Sequence, residues 1–135
     1  MVSRVAERLA VMTVHAHPDD EVFATGGMLA MYAEQGIHTI NVCCTGGEEG
    51  EIVDPALNTS DIRSRLREIR RAELEAAARV LGVETLDYLG YRDSGMAGTE
   101  ANQNPACFHM ADPEEATGRL VRLCGGETTP SRLWS

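Results

Sequence analysis

The chain has 135 residues, 21 of them acidic and 12 basic, for a formal net charge of −9, and only 4% are aromatic. That length suits one domain, 1–135, which hides roughly two-thirds of its unfolded surface. The sign of the charge argues against a phosphate-coating protein, and the few aromatics argue against a base-stacking platform. Nucleic acid is therefore not the expected partner. Divalent metals and neutral or cationic small molecules stay compatible with it.

The first residues, MVSRVAERLAVMTV, have no long apolar core before charges intervene, and no run of about 20 apolar residues follows. Neither a secretion signal nor a membrane span is expected, and a reducing cytoplasm is the expected location. Cys43, Cys44, Cys107 and Cys124 form no C-x-x-C pair. Cys43 and Cys44 lie in an apolar run and read as buried small hydrophobes.

Leu9 to Val14 is a short continuous apolar run that predicts a buried strand, ending at the polar cluster His15 to Asp20. Gly26 to Gln35 predicts a helix stopped by Gly36. Ile37 to Cys44 predicts a second strand, which runs into the glycine- and carboxylate-rich loop Thr45 to Glu51. Ser60 or Asp61 can cap a long helix reaching Leu81, with Gly82 as its stop. Its apolar stripe would be Ile62, Leu66, Ile69, Ala77, Val80 and Leu81.

Glu84 to Leu89 predicts a third strand. Tyr91 to Pro113 reads as a polar surface loop. Asp112 or Thr117 can begin a short helix that buries Leu120, Val121 and Leu123, and about 125–135 reads as an irregular tail. The order β-α-β-α-β predicts an α/β fold, a Rossmann-like parallel sheet with flanking helices.

Parallel α/β folds place chemistry at the carboxyl ends of their strands, and His17, Asp19 and Asp20 fall just past the first one. Imidazole nitrogen and carboxylate oxygen suit zinc, whose catalytic sites take three protein ligands and keep one position open. Adjacent aspartates can divide the work: one binds metal while the other accepts a proton from water. A His-Pro-Asp-Asp turn can equally be a solvated acidic tip. A nucleotide-binding reading fails, because G-x-G-x-x-G is absent after the first strand and two aspartates there would repel a pyrophosphate.

The segment VHAHPDDEVFATGGMLAMYAEQG, Val14 to Gly36, resembles the opening motif of the PIG-L/LmbE family of zinc-dependent deacetylases. The likeness continues in order through TGGEEGE at Thr45 to Glu51, EIRRAELEAAARVLGV at Glu68 to Val83, and LGYRDSGMAGT at Leu89 to Thr99. It is strongest toward the mycothiol-pathway members, an N-acetylglucosaminyl-inositol deacetylase and a mycothiol conjugate amidase.

The resemblance implies removal of an acetyl group from a small N-acetylglucosaminyl amide, through water activated by zinc. His17 and Asp20 would be zinc ligands and Asp19 the general base. Arg70 would bind substrate, Asp93 would grip sugar hydroxyls, and Glu51 would lie in the loop lining the same pocket. Without the resemblance, Arg70 reads as a solvated helix residue and Asp93 as a turn former. Glu48, Glu49 and Glu51 read as loop solubility, and His15 as support for the site.

The family's third zinc ligand belongs to a later H-P-D-H-like motif, which also carries the histidine that stabilises the tetrahedral intermediate. The histidines here are His15, His17, His38 and His109, and no such motif occurs. The resemblance thus implies a carboxy-terminally truncated domain whose last strands are missing. Such a chain is expected to hold zinc weakly and hydrolyse slowly or not at all, unless a carboxylate, His109 or a neighbouring subunit completes the shell. The alternative is an inactive remnant or binding protein that retains the fold. An uncovered sheet edge would favour a homodimer or higher oligomer.

Overall fold

In the computed structural model, residues 8–125 are described. The apolar run after Leu9 becomes strand β1, Ala10–His15. It pairs in parallel with β2, His38–Thr45, Ala10 lying opposite His38 and His15 opposite Cys43. The weak third run becomes β3, Thr85–Tyr91, parallel to β2 on its other side. Among the described residues the sheet has three strands in the order β1-β2-β3. The expected α/β architecture is present, with helices α1 (Asp20–Glu34), α2 (Ser60–Ser64), α3 (Leu66–Val80) and α4 (Pro113–Cys124).

β2 is covered on both faces, as its near-continuous apolar composition requires. One face gathers Val42, Cys44, Leu89, Tyr91 and Leu123, with Ile40, Phe108 and Leu120 packed around them, so α4 closes that side. The Tyr91 and Phe108 rings meet there with centroids 5.1 Å apart. On the other face Arg71 of α3 lies over the Tyr88 ring at 4.8 Å. The buried Leu29 of α1 and Leu74 of α3 supply helix side chains to the interior, each worth about 1.5–3 kcal/mol relative to exposure. Cys43 and Cys44 are buried as expected, and burial pushes their thiols up to about 12 and about 11.

Several expectations are corrected. α1 starts at Asp20 rather than Gly26, because Asp20 and Glu21 suit the positive end of a helix and buried Gly26 sits against Leu81. The long second helix is two helices: Arg65 leaves helical geometry at φ −110°, ψ 7°, and the cap is Thr59, whose Oγ1 accepts the Ile62 N–H at 3.3 Å. Val80 and Val121, expected inside, are 86% and 61% exposed. Leu74 and Ala78 are buried in α3, and Leu123 is the buried residue of α4.

β3 also continues two residues past Leu89. Asp112 caps α4 by accepting the Glu114 N–H at 2.8 Å. The stretch from Tyr91 to Pro113, expected as loop, includes two short 3-10 turns, Ala101–Gln103 and Phe108–Met110. Apart from Gly125, the expected irregular tail lies outside the described residues. Among the described residues no helix is long and apolar enough to cross a membrane.

Candidate active site

β1 ends at His15 and α1 begins at Asp20, so the His-Pro-Asp turn spans the carboxyl end of the sheet. Asp19 has φ 111°, and it is the one non-glycine with positive φ among the described residues. Such a backbone costs on the order of 1–3 kcal/mol and persists only where its surroundings fix it. Here Glu21 Oε2 accepts the Asp19 N–H at 3.0 Å, and the Asp19 carbonyl accepts the Val22 N–H at 3.0 Å. Glu21 is 1% exposed, and its Oε1 has no hydrogen-bond partner. Its role in shaping the turn is invisible in sequence, where it reads as one more acid at a helix start.

The fixed turn aims its side chains into a cavity of about 260 Å³ lined by His17, Asp19, Glu49, Arg70, Asp93 and Met96 among others. His17 Nδ1 lies 3.5 Å from Asp20 Oδ2, and its Nε2 lies 3.3 Å from Asp93 Oδ1. Asp20 Oδ2 also accepts the His17 backbone N–H at 3.0 Å. Arg70 reaches in from α3, donating to Asp19 Oδ2 at 2.6 Å, to the Pro18 carbonyl at 2.5 Å and to the Gly47 carbonyl at 3.4 Å. Arg70 is therefore tied into the site rather than solvated.

Hydrogen bonding to Asp93 raises the His17 pKa against the opposing effect of burial. Burial by itself would raise the Asp93 carboxyl, but the His17 bond and the Gly95 and Glu49 amides bring it down to about 2.

Of the residues expected at the site, His17, Asp19, Asp20, Arg70 and Asp93 come together. Glu51 does not line the His17 cavity. It is exposed and borders an adjoining hollow of about 390 Å³ with Ile52, Ile62, Leu66 and Ile69, which shares Asp19, Gly50 and Arg70 with the first. Glu48 and Glu49 are more than solvated loop residues. Glu48 Oε2 accepts the Asp93 N–H at 2.9 Å and its Oε1 pairs with Arg67 at 3.1 Å, while Glu49 pairs with Arg92 at 2.6 Å. His15 bonds Thr25 of α1 at 2.9 Å, and His38 bonds Thr85 at 2.9 Å, so both brace the fold.

The glycines of the Thr45–Glu51 loop make room for Arg70. A Cβ on Gly47, whose φ is 68°, would stand 2.7 Å from Arg70 Nη1 and 3.1 Å from its Cζ. Gly36 has φ 74° with nothing within 4 Å of such a Cβ. Gly36→Ala is expected to cost only the left-handed backbone penalty, about 1–2 kcal/mol. Gly47→Ala should cost more, because Arg70 must also move. Urea unfolding of the two variants measures the difference; equal costs would mean that the Arg70 contact is slack.

The donor set can be tested against a metal. Two donors of one tetrahedral zinc, nitrogen and oxygen each roughly 2.0–2.2 Å from it, stand ~3.4 Å apart. His17 Nδ1 and Asp20 Oδ2, at 3.5 Å, fit that requirement. They make up part of a shell: among the described residues no group of three or more His, Cys, Asp or Glu side chains could hold a metal ion, and His109 is exposed on the second 3-10 turn.

The 1D-myo-inositol 2-acetamido-2-deoxy-alpha-D-glucopyranoside deacetylase 1 of Catenulispora acidiphila is 49% identical over 119 residues, covering 84% of this chain and 37% of that protein. The corresponding deacetylase of Thermobifida fusca is 46% identical, over 84% of this chain and 42% of that protein. The chain thus spans about two fifths of the length of these relatives.

Among solved structures, the N,N'-diacetylchitobiose deacetylase of Pyrococcus horikoshii aligns with TM-score 0.55 at 36% identity, over 65% of this chain and 31% of that one. GalB, the 4-carboxy-2-hydroxymuconate hydratase of Pseudomonas putida KT2440, aligns with TM-score 0.62 at 27% identity, over 85% of this chain and 42% of that one. The family described as GlcNAc-PI de-N-acetylase matches residues 12–132, nearly the whole sequence, and the chain belongs to this PIG-L family.

Proposed function

We propose that the chain forms the amino-terminal part of a metal-dependent amide hydrolase site that removes an acetyl group from an N-acetylglucosaminyl-type substrate. The observation that carries this reading is the His17–Asp20 pair, spaced for one metal ion at the strand end, with Asp19 beside it. Two deacetylases named for N-acetylated amino sugars support it as relatives. Deacetylation and hydration both consume a water molecule, so the likeness to a hydratase agrees with a site that handles water.

In this reading His17 Nδ1 and a carboxylate oxygen of Asp20 would hold zinc. The ion supplies a Lewis acid for the amide carbonyl and lowers the pKa of water. Asp19 takes a proton from the attacking water at its carboxylate and returns it to the leaving amine. Arg70 keeps that carboxylate in place and offers guanidinium N–H groups to substrate oxygens. The adjoining hollow beside Glu51 gives a bulky substituent of the substrate a place to lie.

A second reading, binding without turnover, draws on the incomplete ligand set among the described residues. Metal content by mass spectrometry, measured beside His17→Ala and Asp20→Ala, separates the two. About one zinc per chain, lost in both variants, would support the hydrolase reading. Metal no higher than in the variants would give the binding reading the lead.

A further inference from the structure

Asp19 stands at φ 111° and ψ −31°, and only its φ is out of the ordinary. A half-turn of the Pro18–Asp19 peptide plane would bring that φ to about −70°, which with ψ unchanged is right-handed helix. Helix α1 would then simply begin one residue earlier. The relaxed conformation is one peptide flip away, so the surroundings must hold the strained one.

Both ends of that peptide are held. Its N–H donates to Glu21 Oε2 at 3.0 Å, and its carbonyl, on Pro18, accepts from Arg70 Nη2 at 2.5 Å. A flip would set the carbonyl against the acceptor oxygen of Glu21 and the N–H against the guanidinium. The same guanidinium donates to Asp19 Oδ2 at 2.6 Å, so the peptide and the Asp19 side chain share one arginine. That side chain is itself 55% exposed and gets little restraint from packing.

A glutamate reaching back to the N–H at the start of its own helix is half of a capping arrangement that stabilises helix ends. The burial of Glu21 argues for more. A carboxyl at 1% exposure, with Oε1 lacking a partner, is costly to hide, and one bond to a backbone N–H returns little of that cost.

We infer that Glu21 is a positioning residue for Asp19 and Arg70. It locks the Pro18–Asp19 peptide with its carbonyl toward Arg70, and so keeps the guanidinium beside the Asp19 carboxylate. The lock rests on the contacts alone; its use in catalysis rests on the proposed hydrolase reading.

Glu21→Met keeps the length and apolar stem of the side chain but removes the acceptor, whereas Glu21→Gln keeps an oxygen at the same reach. NMR of the metal-free 135-residue chain reads the peptide through the NOE between the Asp19 amide and Hα protons, which is strong at positive φ. The wild type and Glu21→Gln are expected to show it. Folded Glu21→Met is expected to lose it and to gain the Asp19–Asp20 amide–amide NOE of a helix. Acetate release from an N-acetylglucosaminyl compound, per bound zinc, should fall on the order of 10²-fold in Glu21→Met and largely return in Glu21→Gln.

A folded Glu21→Met that keeps the strong Asp19 signal would overturn the inference and leave Glu21 a helix cap alone. So would a wild type without that signal. If Glu21→Met does not fold, Glu21→Gln decides, and loss of the signal there overturns the inference as well. A wild type that shows the signal but releases no acetate with zinc bound would instead sink the hydrolase reading and leave the lock standing.

Discussion

Under the proposed hydrolase reading, Asp19→Asn is expected to slow amide hydrolysis by about 10²–10⁴-fold while leaving metal content unchanged. Asparagine keeps the size of the side chain and an oxygen for Arg70, which donates to Asp19 Oδ2 at 2.6 Å. It also tolerates positive φ at least as well as aspartate, so the turn at 111° should survive. What it loses is the ability to take a proton. The defect should therefore fall on kcat, with KM little altered. Acetate release from an N-acetylglucosaminyl compound, normalised to bound metal, is the measurement. Equal rates in wild type and variant would remove Asp19 from the proton-transfer step.

Leu29→Ala is expected to cost about 2.7–5 kcal/mol, a large share of a typical domain's stability. Leu29 is 0% exposed on the inner side of α1, so truncation leaves a void rather than a solvated surface. The same helix provides its own control, because Phe23 is 89% exposed. Phe23→Ala should change stability by no more than roughly 0.5 kcal/mol. Urea unfolding of both compares the two faces of one helix. Similar costs would mean that α1 is not docked as described.

His17 and Asp20 were legible because they are near neighbours in sequence, directly after an apolar strand. Arg70 and Asp93 came from the family resemblance; their spacing alone favoured a solvated helix residue and a turn former. Glu48 and Glu49 were misread because a carboxylate-rich loop looks like solvation until β3 returns beside it with the Asp93 amide and Arg92.

The expected helix began at Gly26, whereas α1 already begins at Asp20, so Gly26 lies well inside it, where it packs close to Leu81. Val80 was assigned inward because one continuous stripe was drawn from Ile62 to Leu81. The break at Arg65 resets the phase, and α3 turns Leu74 and Ala78 inward instead.

The braces that shape the His17 turn come from far along the chain. Arg70 lies on α3, and Asp93 follows β3, 76 positions after His17. During synthesis at about 5–20 residues per second, roughly 4–15 s separate the emergence of His17 from that of Asp93. Through that interval the imidazole lacks the Asp93 carboxylate at its Nε2, and Asp19 has no arginine beside it. The turn at the carboxyl end of β1 thus gains its Arg70 and Asp93 contacts only after α3 and the third strand have been made.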